Sequence, residues 1–83
     1  MSNEQIGNFL EAKFLDETPV MIKFKIRAAF KGLFIKSSDY KDLKAKNFWR
    51  VVPEANIENF KKSGEMKFTK IFSGFEITKL SAL

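Results

Sequence analysis

The chain contains no cysteine and no histidine. Without cysteine there is no disulfide, no thiolate nucleophile and no thiolate metal site. Without histidine the commonest general base is gone, and a Ser-His-Asp arrangement is impossible. A zinc site would need Asp and Glu alone, against that ion's preference for nitrogen and sulfur ligands. Glycine is scarce and scattered, at Gly7, Gly32, Gly64 and Gly74, so no Gly-rich phosphate loop is present. Apolar runs last only a few residues, far short of the ~18 needed to span a bilayer. The start, Met1-Ser2-Asn3-Glu4-Gln5, has no basic segment followed by an apolar run, so no signal peptide is expected. These absences predict a soluble, cytoplasmic protein that is not an enzyme, with no metal, no cofactor and no membrane contact.

What is present fits one domain, residues 1–83. Leu, Ile, Val and Phe supply 26 of the 83 residues, well above the roughly 20% below which charged chains stay disordered. The chain should therefore fold, around a small core. Ten residues are Phe. Each buried ring removes roughly 150–250 Å² from water, so few rings can fill a small interior. Rings left outside would form an interface instead. Fifteen cations against ten carboxylates give a net charge of +5. Only Arg27 and Arg50 are Arg; the rest are Lys. Lys acts as a point charge, whereas Arg presents a planar fork, so a Lys-rich excess favours backbone electrostatics over base reading.

Hydrophobic periodicity divides the chain. Ile6, Phe9, Leu10 and Phe14 recur at helical spacing and predict an amphipathic helix over 3–15, with Ser2 and Gln5 as a capping box. Asp16-Glu17-Thr18-Pro19 ends it. Residues 20–27 alternate strictly and predict a strand. Val20, Ile22, Phe24 and Ile26 form its apolar face; Met21, Lys23, Lys25 and Arg27 form the other. Residues 29–36 predict a second, central strand, apolar on both faces, with Gly32 at a bulge or bend. Residues 37–47 are polar and read either as a long loop or as a short helix capped by Ser37 or Ser38. Residues 48–52 predict a third strand, stopped by Pro53. Residues 54–63 read either as a helix, with Ile57 and Phe60 inward and Gly64 as the stop, or as a short strand around Ile57. Residues 66–72 and 75–80 alternate again, and Ser73-Gly74 between them predicts a two-residue hairpin turn. The expected fold class is β-rich α+β, an N-terminal helix packed on a small bent antiparallel sheet or barrel of about five strands. The expected core includes Phe9, Val20, Ile22, Phe24, Ile26, Phe34, Val51 and Phe72.

A helix leading into Thr18-Pro19-Val20-Met21-Ile22-Lys23-Phe24 resembles the start of Sm-like and Hfq-like small barrels. The run from Phe48 through Pro53 to Phe60 is similar to the strand–turn–strand segment of SH3-like barrels. The resemblance is one of element order over about residues 5–60, and it implies a small barrel. It transfers no functional residue, since fold and function are separable.

The residues that remain support binding rather than catalysis. Asp39 and Asp42 would share a helical face, but they lie among Lys36, Lys41, Lys44 and Lys46, as a solvated, charge-balanced surface would. The sharper candidate is a surface for single-stranded nucleic acid made of Lys23, Lys25, Arg27, Lys31, Trp49 and Arg50, with Lys36, Lys44 and Lys46 as extensions. Cations on such a face would follow phosphates while bases stack on rings. The plain alternative is the polar outer face that any half-buried strand needs. The competing function is a protein-interaction module or homo-oligomer, which the Phe surplus and Met21 would suit.

Overall fold

The computed structural model describes residues 1–12 and 18–83. The elements run α1 (Asn3–Ala12), β1 (Val20–Phe24), β2 (Phe30–Phe34), α2 (Tyr40–Ala45), β3 (Phe48–Pro53), α3 (Glu54–Ser63), a 3-10 turn (Met66–Phe68), β4 (Lys70–Ser73), a second 3-10 turn (Gly74–Glu76) and β5 (Ile77–Ala82). The expected α+β class is the one observed. Phe14 and the expected end of the first helix lie outside the described residues.

The capping box forms as its spacing predicts. The Ser2 backbone N–H donates to Gln5 Oε1 at 2.9 Å, and the Gln5 N–H donates to Ser2 Oγ at 3.2 Å. Residues 54–63 take the helical alternative. Pro53 is the N-cap of α3, and Gly64, at φ 69°, is its left-handed C-cap, with its N–H on Phe60 O at 2.7 Å. Residues 40–45 are helical too, but Asp39 stands at the N-cap position where Ser37 or Ser38 was expected.

All strand pairs are antiparallel, and the sheet order is β4-β3-β2-β1-β5. β2 is central, as its two apolar faces require. On the inner face, Val20, Ile22, Phe34, Trp49, Val51, Phe72, Ile77 and Leu80 join Ile6 and Leu10 of α1 in the main core. On the outer face, Leu33, Ile35 and Val52 form a second cluster under Ile57 and Phe60 of α3. Phe9 and Phe24, expected in the core, are only partly buried against it.

The expected hairpin at Ser73-Gly74 does not form. β4 pairs with β3 and β5 with β1, so the two are opposite edges of the sheet. A tight two-residue hairpin needs positive φ in its turn. Gly74 is not at positive φ; instead its N–H donates to the Asn47 carbonyl at 2.7 Å and starts a 3-10 turn. In a flat sheet those edges would lie about 19 Å apart, four strand spacings. A three-residue link cannot cross that gap in 3-10 geometry, where each residue rises only about 2 Å. The sheet is therefore strongly curled, although no ladder joins β4 to β5 among the described residues.

Strand β1 is also shorter than predicted. It ends at Phe24, where the pairing with β5 slips: Lys23 is opposite Lys79 but Phe24 is opposite Ile77, leaving Thr78 as the extra residue of a bulge. The Thr78 hydroxyl donates to the Lys23 carbonyl at 3.2 Å and fixes the slip. Beyond it the chain bends through residues 25–27. Ile26, expected in the core, is 97% exposed. Arg27 covers the aromatic cluster instead, its guanidinium 5.6 Å from the Phe24 centroid and 5.2 Å from that of Phe72.

Candidate functional site

The outer face of the sheet is covered unevenly. α3 lies over β2 and β3, while on the outward side of β1 and β5 Lys23 and Lys79 are exposed and Met21 and Ser81 half-buried. Register decides what this open part carries. Met21 stands opposite Lys31 on β2 and Ser81 on β5; Lys23 stands opposite Lys79. Directly paired side chains have Cβ atoms about 4.5–5.5 Å apart, so Lys23 and Lys79 form a like-charge pair. Both are exposed, and neither makes an ion pair among the described residues. The chain then leads from Lys23 into Lys25 and Arg27, both exposed. Lys25 is fixed by its backbone N–H, which donates to the Glu76 carbonyl at 2.9 Å. Lys23 and Lys79 are thus brought together across the two strands, Lys25 follows in the chain, and the Arg27 guanidinium turns to the Phe24 and Phe72 rings on the inner side of the sheet.

The other three predicted residues are placed differently. Lys31 is exposed on the same outer face, opposite Met21, and lines a second cleft with Glu54, Glu58 and Lys61. Trp49 is 2% exposed. Its ring meets Phe34 and Tyr40 edge-on, and its indole N–H donates to Asn47 Oδ1 at 2.8 Å. Its inward position on β3 buries the face a base would need, so the stacking role expected of it is withdrawn. Arg50 faces outward, yet its side chain is only 18% exposed. Its guanidinium donates to Asp39 Oδ2 at 2.7 Å and to Thr69 Oγ1 at 3.0 Å. The Arg50 bond holds the Asp39 carboxyl below the usual carboxylate range, with the Ser37 hydroxyl adding to the effect. Arg50 is therefore a structural clamp between the start of α2 and the approach to β4. Of the extensions, Lys44 reaches Glu11 at 3.5 Å and, like Lys36, lies over the Tyr40 ring.

Beside the cationic face the curled sheet leaves a cleft of about 420 Å³, lined by Phe24, Lys25, Ile26, Arg27, Phe75 and Glu76. Phe75, in the 3-10 turn, is 65% exposed. Phe24 and Phe30 stack with centroids 5.2 Å apart, and both tilt against Phe72. Lys79 and Phe75 were not singled out from the sequence. Lys79 needed the β1–β5 register, which is non-local. Phe75 was absorbed into an expected strand, although it follows a Ser-Gly pair that signals a turn.

The wall of the cleft is tied to a buried polar knot. Asn47, at φ 59°, accepts from Trp49 and donates through Nδ2 to Met1 O at 2.9 Å. The Met1 amino group donates to Gly74 O at 2.8 Å and to Ile77 O at 2.6 Å. Burial, with the Lys25 cation, pushes that ammonium below its ordinary pKa. Among the described residues no group of three or more Asp or Glu is placed to hold a metal, and no helix is long and apolar enough to cross a membrane.

Comparison with family models, with curated proteins and with solved structures finds no match for this chain.

Proposed function

We propose that this is a non-catalytic binding domain that takes single-stranded nucleic acid on the open face of β1 and β5, through Lys23, Lys25, Arg27 and Lys79. The observation that carries the reading is the cross-strand Lys23–Lys79 pair. Like charges directly opposite on a sheet are destabilising, and no carboxylate forms an ion pair with either lysine among the described residues. A polyanion relieves the repulsion. Beyond the strand the chain carries Lys25 and then Arg27, whose guanidinium wraps the sheet edge onto Phe24 and Phe72, so a backbone crossing the Lys23–Lys79 pair meets further cations along that edge.

The test is fluorescence anisotropy with a labelled single-stranded oligonucleotide over a salt series. Log affinity should fall linearly with log salt, with a slope set by the phosphates neutralised. Lys23→Glu combined with Lys79→Glu should weaken binding at least tenfold with an unchanged circular dichroism spectrum. Equal binding by the double variant and the parent protein would remove this face from the assignment.

A second reading, self-association, rests on a separate surface. Phe48 and Ile71 are exposed on the outer side of β3 and β4, with exposed Met66 in the preceding 3-10 turn, beside the edge of β4 that pairs with no strand among the described residues. An open edge can accept another strand. Its signature is a mass that rises with protein concentration and persists in high salt.

A further inference from the structure

The cationic strip accounts for phosphates but not for the apolar side chains the fold holds in water next to it. Ile26 and Phe75 are both strongly exposed, on two different connections, and both line the same cleft. Its volume, about 420 Å³, falls within the range of roughly 300–1,000 Å³ typical of small-ligand sites. The two walls are held together, because the Lys25 N–H donates to Glu76 O and the turn bearing Phe75 is anchored through Gly74 to Asn47. Phe24, Phe30 and Phe72 pack on one another, whereas Phe75 has no ring partner among the described residues. Its π-face is uncommitted.

Resting on the function proposed above, we propose that this cleft takes one unstacked base of the bound strand. The base lies on the Phe75 ring against Ile26, and Lys25 and Arg27 hold the flanking phosphates. Glu76 decides between a base and a phosphate inside the cleft. It is the one carboxylate among the lining residues. It repels a phosphate, but it accepts a hydrogen bond from an exocyclic amino group, as carboxylates do from cytosine N4. The favoured occupant is therefore an amino-bearing base, and thymine, which has no such donor, binds less well. Duplex DNA cannot present a base this way without unpairing it.

The experiment compares strands of about ten nucleotides made of dC, of dT and of abasic units, at one salt concentration. The parent protein should bind dC most tightly and the abasic strand least. Loss of one aromatic–base stack corresponds to about 5- to 150-fold in affinity. Phe75→Ala should bring dC down to the level of the abasic strand and leave abasic binding unchanged. Glu76→Gln should narrow the gap between dC and dT. The buried Trp49 reports the fold, and its emission should not change in either variant. If Phe75→Ala binds dC like the parent protein, or if the parent protein binds abasic and dC strands equally, the base cleft is wrong while the phosphate-binding face stands. If the parent protein binds none of the three strands, the underlying function fails as well. Capture on phosphatidylserine-containing vesicles without oligonucleotide binding would likewise overturn both, marking Ile26 and Phe75 as membrane-inserting side chains.

Discussion

Asn47 joins three parts of the molecule. Its left-handed backbone is tolerable because asparagine's short polar side chain can bond locally. Its amide is buried and used at both ends, by the Trp49 N–H and the Met1 carbonyl. Gly74 packs so closely that any Cβ there would overlap this amide. Asn47→Ala should therefore cost about 2–4 kcal/mol, from an unsatisfied buried indole N–H and the left-handed strain on alanine. Urea denaturation measures this; a change under about 0.5 kcal/mol would show the knot to be incidental. Asp39 gives a second test, through pH. Its carboxyl is held below the ordinary value by Arg50 and then by Ser37. A depressed pKa means that the stabilisation is complete above the unfolded value of about 3.9 and is lost as the pH falls through the folded one. Asp39→Asn should accordingly lower stability near neutral pH and flatten its fall below about pH 4. An acid limb of unchanged steepness would contradict the clamp.

At the scale of elements, β1 shows how a correct pattern can be cut short by a partner. Eight alternating residues predict a strand, and the first five form one. The rest depend on β5, whose bulge at Thr78 ends regular pairing at Lys23. The apolar signal at Ile26 is the same as that at Ile22, yet their environments are opposite. Ile22→Ala should cost about 2–5 kcal/mol, since Ile22 is fully buried in the main core. Ile26→Ser should stay within about ±0.5 kcal/mol. Parallel chemical denaturation of the two variants checks both, and a large loss at Ile26 would place it back in the core. Two of the capping signals held where strand lengths did not, although that at Ser37 or Ser38 gave way to Asp39. Ser2 with Gln5, and Gly64 at the end of α3, act within one helical turn and need no distant partner.

At the scale of the whole molecule, the curled sheet has two cores of unequal size. The inner one gathers ten buried residues; the outer one under α3 has three, with Ile57 and Phe60 only partly buried. Local stability follows buried apolar contact, so α3 should open before the strands do. Native-state hydrogen exchange should give its amides a lower opening free energy than those of β1, β2 and β3. Equal values would mean that the two cores unfold as one.

The division between sequence and tertiary structure follows from the range of the interactions. Residues 37–47 and 54–63 left a helix and an alternative open, but period, caps and composition act over a few residues, so the capped start of α1, the strands, the central place of β2 and the outward Lys23 of β1 were legible in the chain. So was the absence of His and Cys chemistry. Which strand lies beside which, and at what register, depends on contacts between residues more than fifty positions apart, as Lys23 and Lys79 are. No local pattern encodes that pairing. It decided that Lys79 stands opposite Lys23 and that Ile26 and Phe75 meet across one cleft, while Trp49 and Arg50 are committed by nearer partners, Asn47, Asp39 and Thr69. The physical cause is the curl of the sheet, which brings two distant connections together once the inner core has closed.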